Sequence, residues 1–449
     1  MKINPKIFKS YDIRGIYPEE INEDLAAKIT QAYVKIVNPK GKVAVGFDVR
    51  DCSQKMSQRV IKSLTAAGVE VVDIGLSSTE EMYFAVGFYK LAGGMQLTAS
   101  HNPKEYGGIK MVREEAKPIT GESGIYQIRD LIIAGKEKMA SAKKGKVAKK
   151  DVLADYAQFC LDFINPKVIK PLKLVFNPNF GFQGEVLKKV VEVGNLPLKL
   201  VGLNDTPDGT FPKGRPDPFR PENRPEFIKL VKSTKADLGV AWDADADRVF
   251  FCTGSGVFVE PYFMNALLIK AMLKKYPGSK IVYDPRYTWA LIDSARENGG
   301  RAIISKVGHS YIKEVMRKEK AVFCGESSGH TYFKDFWYAD SGMIPLLMVL
   351  EMVSKQGDLD QLLKPYLERY FISGEINYEI ADYQPVFRKI EERYSDGQID
   401  KLDGLSVEYP DWRFNLRASN TEPLVRLNIE AKSKEKLQEK VKELEGLIK

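Results

Sequence analysis

Apolar runs recur three times along the chain in the same sequence context. Each run follows a lysine and ends at an aromatic residue followed by Asp or Asn, within residues 42–50, 173–179 and 280–286. A helical pattern follows each run. Continuous apolar runs that alternate with helices indicate parallel strands that are buried on both faces. The pattern therefore predicts three related α/β repeats.

Each repeat continues with a second apolar run and then a third, which ends in a polar loop. The second runs are Val69 to Ile74, Leu198 to Leu203 and Arg301 to Ile304. The polar loops are residues 98–103, 243–248 and 325–330. Ligands of open α/β sheets bind at the carboxyl ends of strands, and packing alone would not require three equivalent polar loops.

The chain beyond residue 367 follows a different pattern. Strand-like runs at 405–407, 413–416 and 424–429 precede an amphipathic helix with apolar residues at Leu437, Val441, Leu444 and Ile448. We expect domain boundaries near 145, 253 and 367, so that the domains are 1–145, 146–253, 254–367 and 368–449. The Pro- and Gly-rich segment 205–225 is predicted to be a long surface connection.

Composition places the chain among globular proteins, with 44% hydrophobic and 29% charged residues. Residues 1–15 contain no apolar signal segment, and the most apolar stretch, Met343 to Val353, is too short to span a membrane. The four cysteines are far apart and have no metal-type spacing, which suggests reduced thiols. We therefore expect a cytoplasmic protein that has no membrane partner.

The net charge of +8 does not indicate a nucleic-acid partner. Seven lysines lie in residues 136–150, which are expected to form a solvated linker surface. No aromatic interleaving or nucleic-acid module accompanies these lysines. The remaining positive charge could attract small anionic molecules.

The loop Thr98-Ala99-Ser100-His101-Asn102-Pro103 places a hydroxyl beside an imidazole and a carboxamide. We expect it to be an exposed loop that follows a strand, and Ser100 is then a candidate nucleophile. A serine in a polar loop is more often only a turn residue. Both interpretations stay open on this loop alone.

The loop at 243–248 carries Asp243, Asp245 and Asp247 at alternate positions. An extended backbone would point all three carboxylates the same way, toward one hard cation such as Mg²⁺ or Ca²⁺. The sixth position is Arg248 and the twelfth is Gly254, which excludes an EF-hand. A solvated acidic turn and an aspartyl-phosphate nucleophile remain alternatives.

Two further loops have suitable chemistry for a phosphorylated ligand. Glu326 and Ser328 alternate in the loop 325–330 and could address neighbouring hydroxyls, although a glycine turn can also be purely structural. The loop 417–423 offers a guanidinium, hydroxyls and an amide, which could bind a phosphate. The same residues are also typical of a simple hairpin turn. The only histidines of the sequence are His101, His309 and His330. Their location in such loops favours a functional site.

Taken in order, these motifs resemble the α-D-phosphohexomutase family, and most closely its bifunctional phosphomannomutase/phosphoglucomutase branch. The resemblance covers the whole chain. It is carried by Tyr11-Asp12-Ile13-Arg14-Gly15, the serine loop, Gly107-Gly108-Ile109-Lys110, the 243–248 loop, Lys306-Val307-Gly308-His309-Ser310, the 325–330 loop and residues 417–423. Pro216-Asp217-Pro218 and Pro221-Glu222-Asn223 also look like this branch.

The resemblance implies an α/β fold of three similar mixed-sheet α/β domains plus a smaller C-terminal α+β domain, arranged around a central cleft. It implies that Ser100 carries a transferable phosphate and that Asp243, Asp245 and Asp247 hold Mg²⁺ against it. The residues that would surround the phosphoryl group are Arg14, His101, Lys110 and Arg248, with Lys110 or His330 as the general base. The residues that would bind the substrate are Tyr11, Arg286, His309, Glu326, Ser328, Arg417, Ser419, Asn420 and Thr421.

The implied reaction interconverts hexose 1-phosphate and hexose 6-phosphate, of mannose or glucose, through a 1,6-bisphosphate that also acts as activator. A monomer or weak dimer that binds a phosphosugar is expected. Ser327 stands where the bifunctional branch often has Met, which leaves the sugar preference open, and Ala244 stands where the family usually has Gly. A phosphoglucosamine mutase and a non-catalytic phosphosugar-binding protein are the alternatives.

Overall fold

The computed structural model confirms the predicted fold class. It describes residues 3–139, 141–380, 382–418 and 424–449. Three α/β domains with mixed sheets are followed by a domain built on an antiparallel sheet. The chain forms two compact units, unit 1 being residues 1–259 with 328–359 and unit 2 being residues 260–327 with 360–449.

The first domain lies in unit 1 and has a sheet of order β1-β5-β4-β2-β3-β6. Its strands are β1 (Ile13–Ile16), β2 (Val43–Phe47), β3 (Val71–Leu76), β4 (Gly93–Leu97), β5 (Tyr106–Arg113) and β6 (Val147–Lys149). Its helices are α1 (Glu23–Val37), α2 (Asp51–Ala66), α3 (Thr79–Phe88) and α4 (Tyr126–Ile133). Strands β4, β2, β3 and β6 are parallel, β5 runs antiparallel to β4, and β1 runs antiparallel to β5 at the edge of the sheet. The lysine-rich run, expected to be only a linker, therefore ends in an edge strand of this sheet.

The second domain also lies in unit 1 and repeats the arrangement, with a sheet of order β11-β10-β9-β7-β8. Its strands are β7 (Leu172–Asn177), β8 (Leu198–Gly202), β9 (Leu238–Trp242), β10 (Val249–Thr253) and β11 (Phe258–Val259). Its helices are α5 (Leu153–Leu161), α6 (Gln183–Val193) and α7 (Pro225–Thr234). The first strand of this repeat lies between the second and the third, as it does in the first domain.

The third repeat contributes to both units. The part in unit 2 consists of α8 (Pro261–Lys275), β12 (Lys280–Tyr283), α9 (Trp289–Glu297), β13 (Arg301–Ile304), α10 (His309–Glu319) and β14 (Phe323–Gly325). The part in unit 1 consists of the hairpin β15 (Thr331–Phe333) and β16 (Ala339–Asp340), followed by α11 (Met343–Gln356). Strand β12 pairs in parallel with both β13 and β14, so the predicted repeat is confirmed for all three copies.

The last domain, in unit 2, has an antiparallel sheet of order β17-β22-β21-β20-β19, with β18 paired to β22. Its strands are β17 (Phe371–Ile372), β18 (Ile376–Glu379), β19 (Gln398–Asp400), β20 (Leu405–Glu408), β21 (Trp412–Ala418) and β22 (Leu424–Ala431). Its helices are α13 (Gln384–Arg393) and α14 (Lys434–Ile448), preceded by α12 (Leu359–Leu367). The predicted terminal helix packs through Leu444 and Ile448 on the sheet, because its apolar positions recur at helical spacing.

The helices of the first domain begin where the sequence provides caps. The Asn22 side chain accepts from the Leu25 amide at the start of α1, which buries Leu25 and Ile29 against the sheet. Ser78 and Glu81 form a capping box at the start of α3. All four cysteines are free and buried. Among the described residues, no helix is long and apolar enough to cross a membrane.

Candidate active site

The serine loop follows β4, and its first half, Thr98 to Ser100, is buried rather than exposed as the sequence suggested, while residues 101–103 are half-buried. Ser100 is 1% exposed and has a φ of 49°, a left-handed conformation that is uncommon for residues other than glycine. Its amide donates to Thr98 Oγ1 at 2.9 Å. The Ser100 hydroxyl lies 3.0 Å from His101 Nδ1 and donates to Asp243 Oδ2 at 3.0 Å. The structure therefore places the predicted nucleophile against the acidic loop.

The acidic loop joins β9 to β10, and its three carboxylates converge on one place. The predicted geometry was wrong, since the loop is a turn with Ala246 at a φ of 66° rather than an extended segment. One carboxylate oxygen each from Asp243, Asp245 and Asp247 lies within 4.8 Å of the other two, and all three residues are buried. Ala244, at the position of the family's usual glycine, is not among the residues with positive φ.

These carboxylates fit a hard cation. Asp245 Oδ1 and Asp247 Oδ1 are buried and have no hydrogen-bond partner in the part of the chain that the structure describes. Burial, followed by the neighbouring Asp247 and Asp245, holds the pKa of Asp243 well above its usual range. Buried oxygen ligands that repel one another are the donor set that Mg²⁺ or Ca²⁺ would neutralise.

Lys110 on β5 supplies positive charge to the same carboxylates. Its Nζ donates to Asp245 Oδ2 at 2.6 Å and forms a very close pair with Asp247 Oδ2. Burial lowers the pKa of Lys110, but Asp245 and Asp247 outweigh it, so the pKa lies well above the usual value. Gly108, also on β5, lets this strand lie close to the serine loop, because a Cβ there would lie 2.5 Å from the Thr98 carbonyl oxygen.

Two arginines and an uncharged histidine complete this cluster. Arg14 is held by Asp12 at 2.8 Å and donates from Nη1 to Asn102 Oδ1 at 2.8 Å. Burial, followed by Arg248 and Arg14, lowers the pKa of His101 well below its usual value, so this imidazole is neutral at pH 7. The predicted phosphoryl-binding residues thus lie together in unit 1.

His330 joins this group through Arg248. The Arg248 Nε donates to His330 Nε2 at 3.2 Å, while His330 Nδ1 lies 3.1 Å from the Asp247 carbonyl oxygen and 3.3 Å from Asp340 Oδ2. These partners assign the proton of a neutral imidazole to Nδ1 and leave Nε2 as the acceptor. Asp340, which sequence reasoning missed, is buried on β16 and orients the ring.

Two other residues missed from sequence stand at the start of α3. Thr79 donates from its amide to the Asp245 carbonyl oxygen at 3.0 Å and from Oγ1 to Asp245 Oδ2 at 2.6 Å. Glu80 is fully buried and accepts from Ser341 Oγ at 2.5 Å and from the Gly342 amide at 3.0 Å. The capping-box pattern at 78–81 signalled this helix start, but nothing in it pointed to the acidic loop.

The segment 205–225 is a long connection with many exposed residues, as the sequence predicted, but part of it also packs against the serine loop. Phe211 and Asp217 are buried, and Arg215 Nε donates to the His101 carbonyl oxygen at 2.9 Å. Asp217 Oδ1 also lies 4.0 Å from Arg248 Nη1. The segment therefore belongs to the surroundings of Ser100. The sequence indicated a loop because the segment is rich in proline and glycine, and the segment does have little regular secondary structure.

Unit 2 brings together some of the predicted substrate-binding residues. Arg286 forms two bonds of 2.8 Å with Asp284 and lies 3.4 Å from Glu326 Oε1. The Gly308 amide donates to Glu326 Oε1 at 3.3 Å, next to His309 at the start of α10. A network of this kind presents a buried carboxylate and a guanidinium side by side.

The other predicted substrate-binding residues are more scattered. Arg417 is the last residue but one of β21, and its Nη2 lies 4.0 Å from Glu375 Oε2. Burial, followed by Arg286, lowers the pKa of Arg417. Ser328, in unit 1, has a buried Oγ without a hydrogen-bond partner among the described residues. Tyr11 is half-buried just before β1. Ser419, Asn420 and Thr421 lie outside the described residues.

Comparison with known proteins covers nearly all of the chain. Residues 5–139, 153–256 and 260–370 match the phosphoglucomutase/phosphomannomutase alpha/beta/alpha domains I, II and III, and residues 375–447 match the C-terminal domain. The chain is 42% identical over 445 residues to "Phosphohexose mutases" of Xanthomonas campestris pv. campestris, covering 98% of each. It is also 42% identical to a phosphomannomutase of Escherichia coli over 451 residues, covering 98% of the chain and 99% of the relative.

Solved structures agree with this match. A phosphoglucomutase/phosphomannomutase family protein of Burkholderia thailandensis aligns with a TM-score of 0.88 at 31% identity, covering 98% of this chain and 97% of its own. A Paramecium phosphoglucomutase in an open form shares the fold, with a TM-score of 0.80 at 18% identity, covering 95% and 90%. The similarity therefore extends across all four domains.

Proposed function

This chain belongs to the phosphoglucomutase/phosphomannomutase family, and from that premise we propose that it is a mutase that interconverts hexose 1-phosphate and hexose 6-phosphate. The sugar is mannose, glucose or both, and Ser100 carries the transferable phosphate. The observation that carries the proposal is the 3.0 Å bond between Ser100 Oγ and Asp243 Oδ2 within a buried acidic loop. A serine that only shaped a turn would have no need of three buried carboxylates and the nearby cations.

The acidic loop would hold Mg²⁺ through Asp243, Asp245 and Asp247. Bound there, Mg²⁺ would supply positive charge that offsets the negative charge of the transferring phosphoryl group. Two of these aspartates have a buried oxygen without a hydrogen-bond partner among the described residues, which supports the assignment. Lys110, Arg14 and Arg248 would bind the phosphoryl oxygens, since fixed cations in a buried site stabilise spreading negative charge.

His330 is a better general base than Lys110. Lys110 is already bonded to two carboxylates, and its raised pKa keeps it protonated at pH 7. His330 is placed with Nε2 as an acceptor, because Nδ1 has the Asp247 carbonyl oxygen and Asp340 as partners. The sugar hydroxyl that receives the phosphoryl group would pass its proton to Nε2 once Arg248 Nε, which donates to Nε2 at 3.2 Å, has turned to the phosphoryl oxygens.

Substrate binding is proposed for the remaining residues that the resemblance names. Arg286 and Arg417 would bind the non-reacting phosphate together with Tyr11 and the residues Ser419, Asn420 and Thr421. Glu326, Ser328 and His309 would bind sugar hydroxyls, for which a carboxylate, a hydroxyl and an imidazole are suitable partners. A 1,6-bisphosphate would form after the first transfer and return its other phosphate to Ser100, and the same compound would activate dephosphorylated enzyme.

Intact mass and steady-state rates test the proposal together. Enzyme incubated with glucose 1,6-bisphosphate should gain the mass of one phosphate on Ser100, and Ser100→Ala should lose both this mass and mutase activity. Rates on the 1-phosphates of mannose, glucose and glucosamine assign the sugar, and a clear preference for glucosamine would contradict the mannose or glucose assignment. Phosphosugar binding without turnover would indicate a binding protein. Phosphate trapped on Asp243 or Asp245 would indicate an aspartyl phosphatase instead.

A further inference from the structure

Arginine side chains hold every carbonyl oxygen of the serine loop from Ala99 to Asn102. Arg14 Nη1 donates to the Ala99 oxygen at 3.3 Å. Arg50 Nη2 donates to the oxygens of Ser100 at 2.7 Å and Asn102 at 2.6 Å. Arg215 Nε donates to the His101 oxygen at 2.9 Å. Four consecutive peptide groups are thus fixed by three guanidinium groups.

The loop needs such restraint because of the conformation of Ser100. A φ of 49° is unfavourable for serine, and conformations of this kind persist only where surrounding contacts impose them. The carbonyl oxygens also bring negative charge close to a residue that would carry a phosphate dianion. A guanidinium on each oxygen counters that charge, and charged donors form the stronger hydrogen bonds.

Arg50 is the inner of these supports. It is 1% exposed, its amide donates to Asp48 Oδ1 at 3.0 Å, and its guanidinium lies over the Phe211 ring at 4.6 Å. Phe211 belongs to the segment 205–225, so this segment contacts Arg50 from the second domain. Replacing so deeply buried a cation would disturb folding as well as the loop.

Arg215 is the outer support, and it can be changed with less structural cost. Its side chain is 34% exposed. Asn223 Nδ2 donates to the Arg215 carbonyl oxygen at 3.0 Å and to that of Asp217 at 2.8 Å, which fixes the backbone from which Arg215 extends. The Arg215 bond to His101 therefore ties the serine loop of the first domain to the second domain, which also carries the acidic loop.

We propose that Arg215 is a positioning residue for phosphoryl transfer: by holding the His101 carbonyl oxygen it fixes the direction in which Ser100 Oγ faces Asp243. The inference rests on the proposed mutase function. Arg215 acts through the loop rather than on the sugar, so its loss should lower kcat and leave KM unchanged. Displacement of a reacting group by about 1 Å can cost about a hundredfold in rate, and we expect a loss of about 10- to 100-fold.

The test compares Arg215→Met with Arg220→Met, a matched control in the same segment. Arg220 is exposed and pairs at the surface with Glu222, at 2.5 Å. Mutase kcat and KM are measured for each variant and for wild-type enzyme, together with the rate at which glucose 1,6-bisphosphate phosphorylates Ser100, followed by intact mass. Arg215→Met should slow both rates by the same factor, and Arg220→Met should change each by less than about twofold. Arg215→Lys keeps a charged donor group, so it should recover part of the kcat that Arg215→Met loses.

Each outcome supports or overturns the inference. A wild-type enzyme with no mutase activity and no phosphate on Ser100 overturns the proposed function and this inference with it. Active wild-type enzyme and an unchanged kcat in Arg215→Met overturn the inference alone. A raised KM at unchanged kcat also overturns it, since Arg215 would then contact substrate. If urea unfolding shows that Arg215→Met is misfolded, kcat and KM of Arg215→Lys decide by the same criteria.

Discussion

Removal of the Lys110 charge tests the acidic loop most directly, because Lys110 and a bound cation would neutralise the same oxygens. The Lys110 ammonium donates to Asp245 and Asp247, and all three residues are buried. Lys110→Met keeps most of the unbranched side chain and removes the ammonium group with its charge and its hydrogen-bond donors. We predict that the variant is strongly destabilised without metal and that Mg²⁺ restores much of this stability.

The magnitude follows from the two buried bonds. Removing one partner of a buried ion pair costs about 3–5 kcal/mol, and hydrogen bonds to charged groups contribute about 1.5–3 kcal/mol each. The pKa of Asp243 is already raised by burial and by the other aspartates, so the variant can relieve part of the repulsion by taking up a proton. We therefore expect the lower end of the range at pH 7, about 3 kcal/mol.

Urea unfolding in EDTA and in saturating Mg²⁺ measures this effect. Lys213→Met is the matched control, since Lys213 forms an exposed pair with Glu226 at 2.6 Å and should contribute about 1 kcal/mol or less. Mg²⁺ should raise the unfolding free energy of Lys110→Met more than that of wild-type enzyme, because binding to the folded state alone stabilises it. Equal stability of Lys110→Met and wild-type enzyme in EDTA would refute the reasoning, as would an equal gain from Mg²⁺ in both.

Three further predictions concern the residues around this loop. Burial raises the pKa of Glu80 to about 7 from an ordinary value of 4.5. The unfolding free energy of wild-type enzyme should therefore fall by up to about 3 kcal/mol relative to that of Glu80→Gln as pH rises from 4.5 through 7. Urea unfolding across that range measures this difference, and a difference that stays constant would contradict the prediction. Thr79→Val, which removes the 2.6 Å bond to Asp245 Oδ2, should weaken Mg²⁺ binding by about 10-fold in calorimetry, and unchanged affinity would exclude an orienting role. Asp340→Asn should lower kcat by about 10- to 100-fold with little change in KM, because the orientation of His330 would be lost; wild-type rates would remove Asp340 from the site.

The central strands could be predicted because each is largely buried on both faces and therefore forms a mostly apolar run. Residues 43–47, 172–177 and 280–283 follow this rule in all three repeats. The loops that carry Ser100 and the aspartates could also be predicted, since they directly follow apolar runs. The burial of Ser100 could not be predicted, because it depends on segments that are distant in sequence.

The supporting residues escaped prediction for the same reason. Thr79 reads locally as part of a helix start, and its bond to Asp245 joins residues 166 positions apart. Arg215 lies in a segment whose proline and glycine content indicates only an absence of regular structure. The left-handed Ala246 shows that the aspartates converge through a turn, which alternation of residues could not distinguish from an extended strand.

The bonds between Glu80 and the residues that begin α11 have a consequence for synthesis of the chain. The partners Ser341 and Gly342 are translated about 260 residues after Glu80. At about 5–20 residues per second, the ribosome needs roughly 15 to 50 seconds to bridge that interval. The N-terminal domain can therefore emerge with the Glu80 carboxylate still lacking these partners. Unit 1, which carries the serine loop and the acidic loop, reaches its final form only when more than three quarters of the polypeptide has been made.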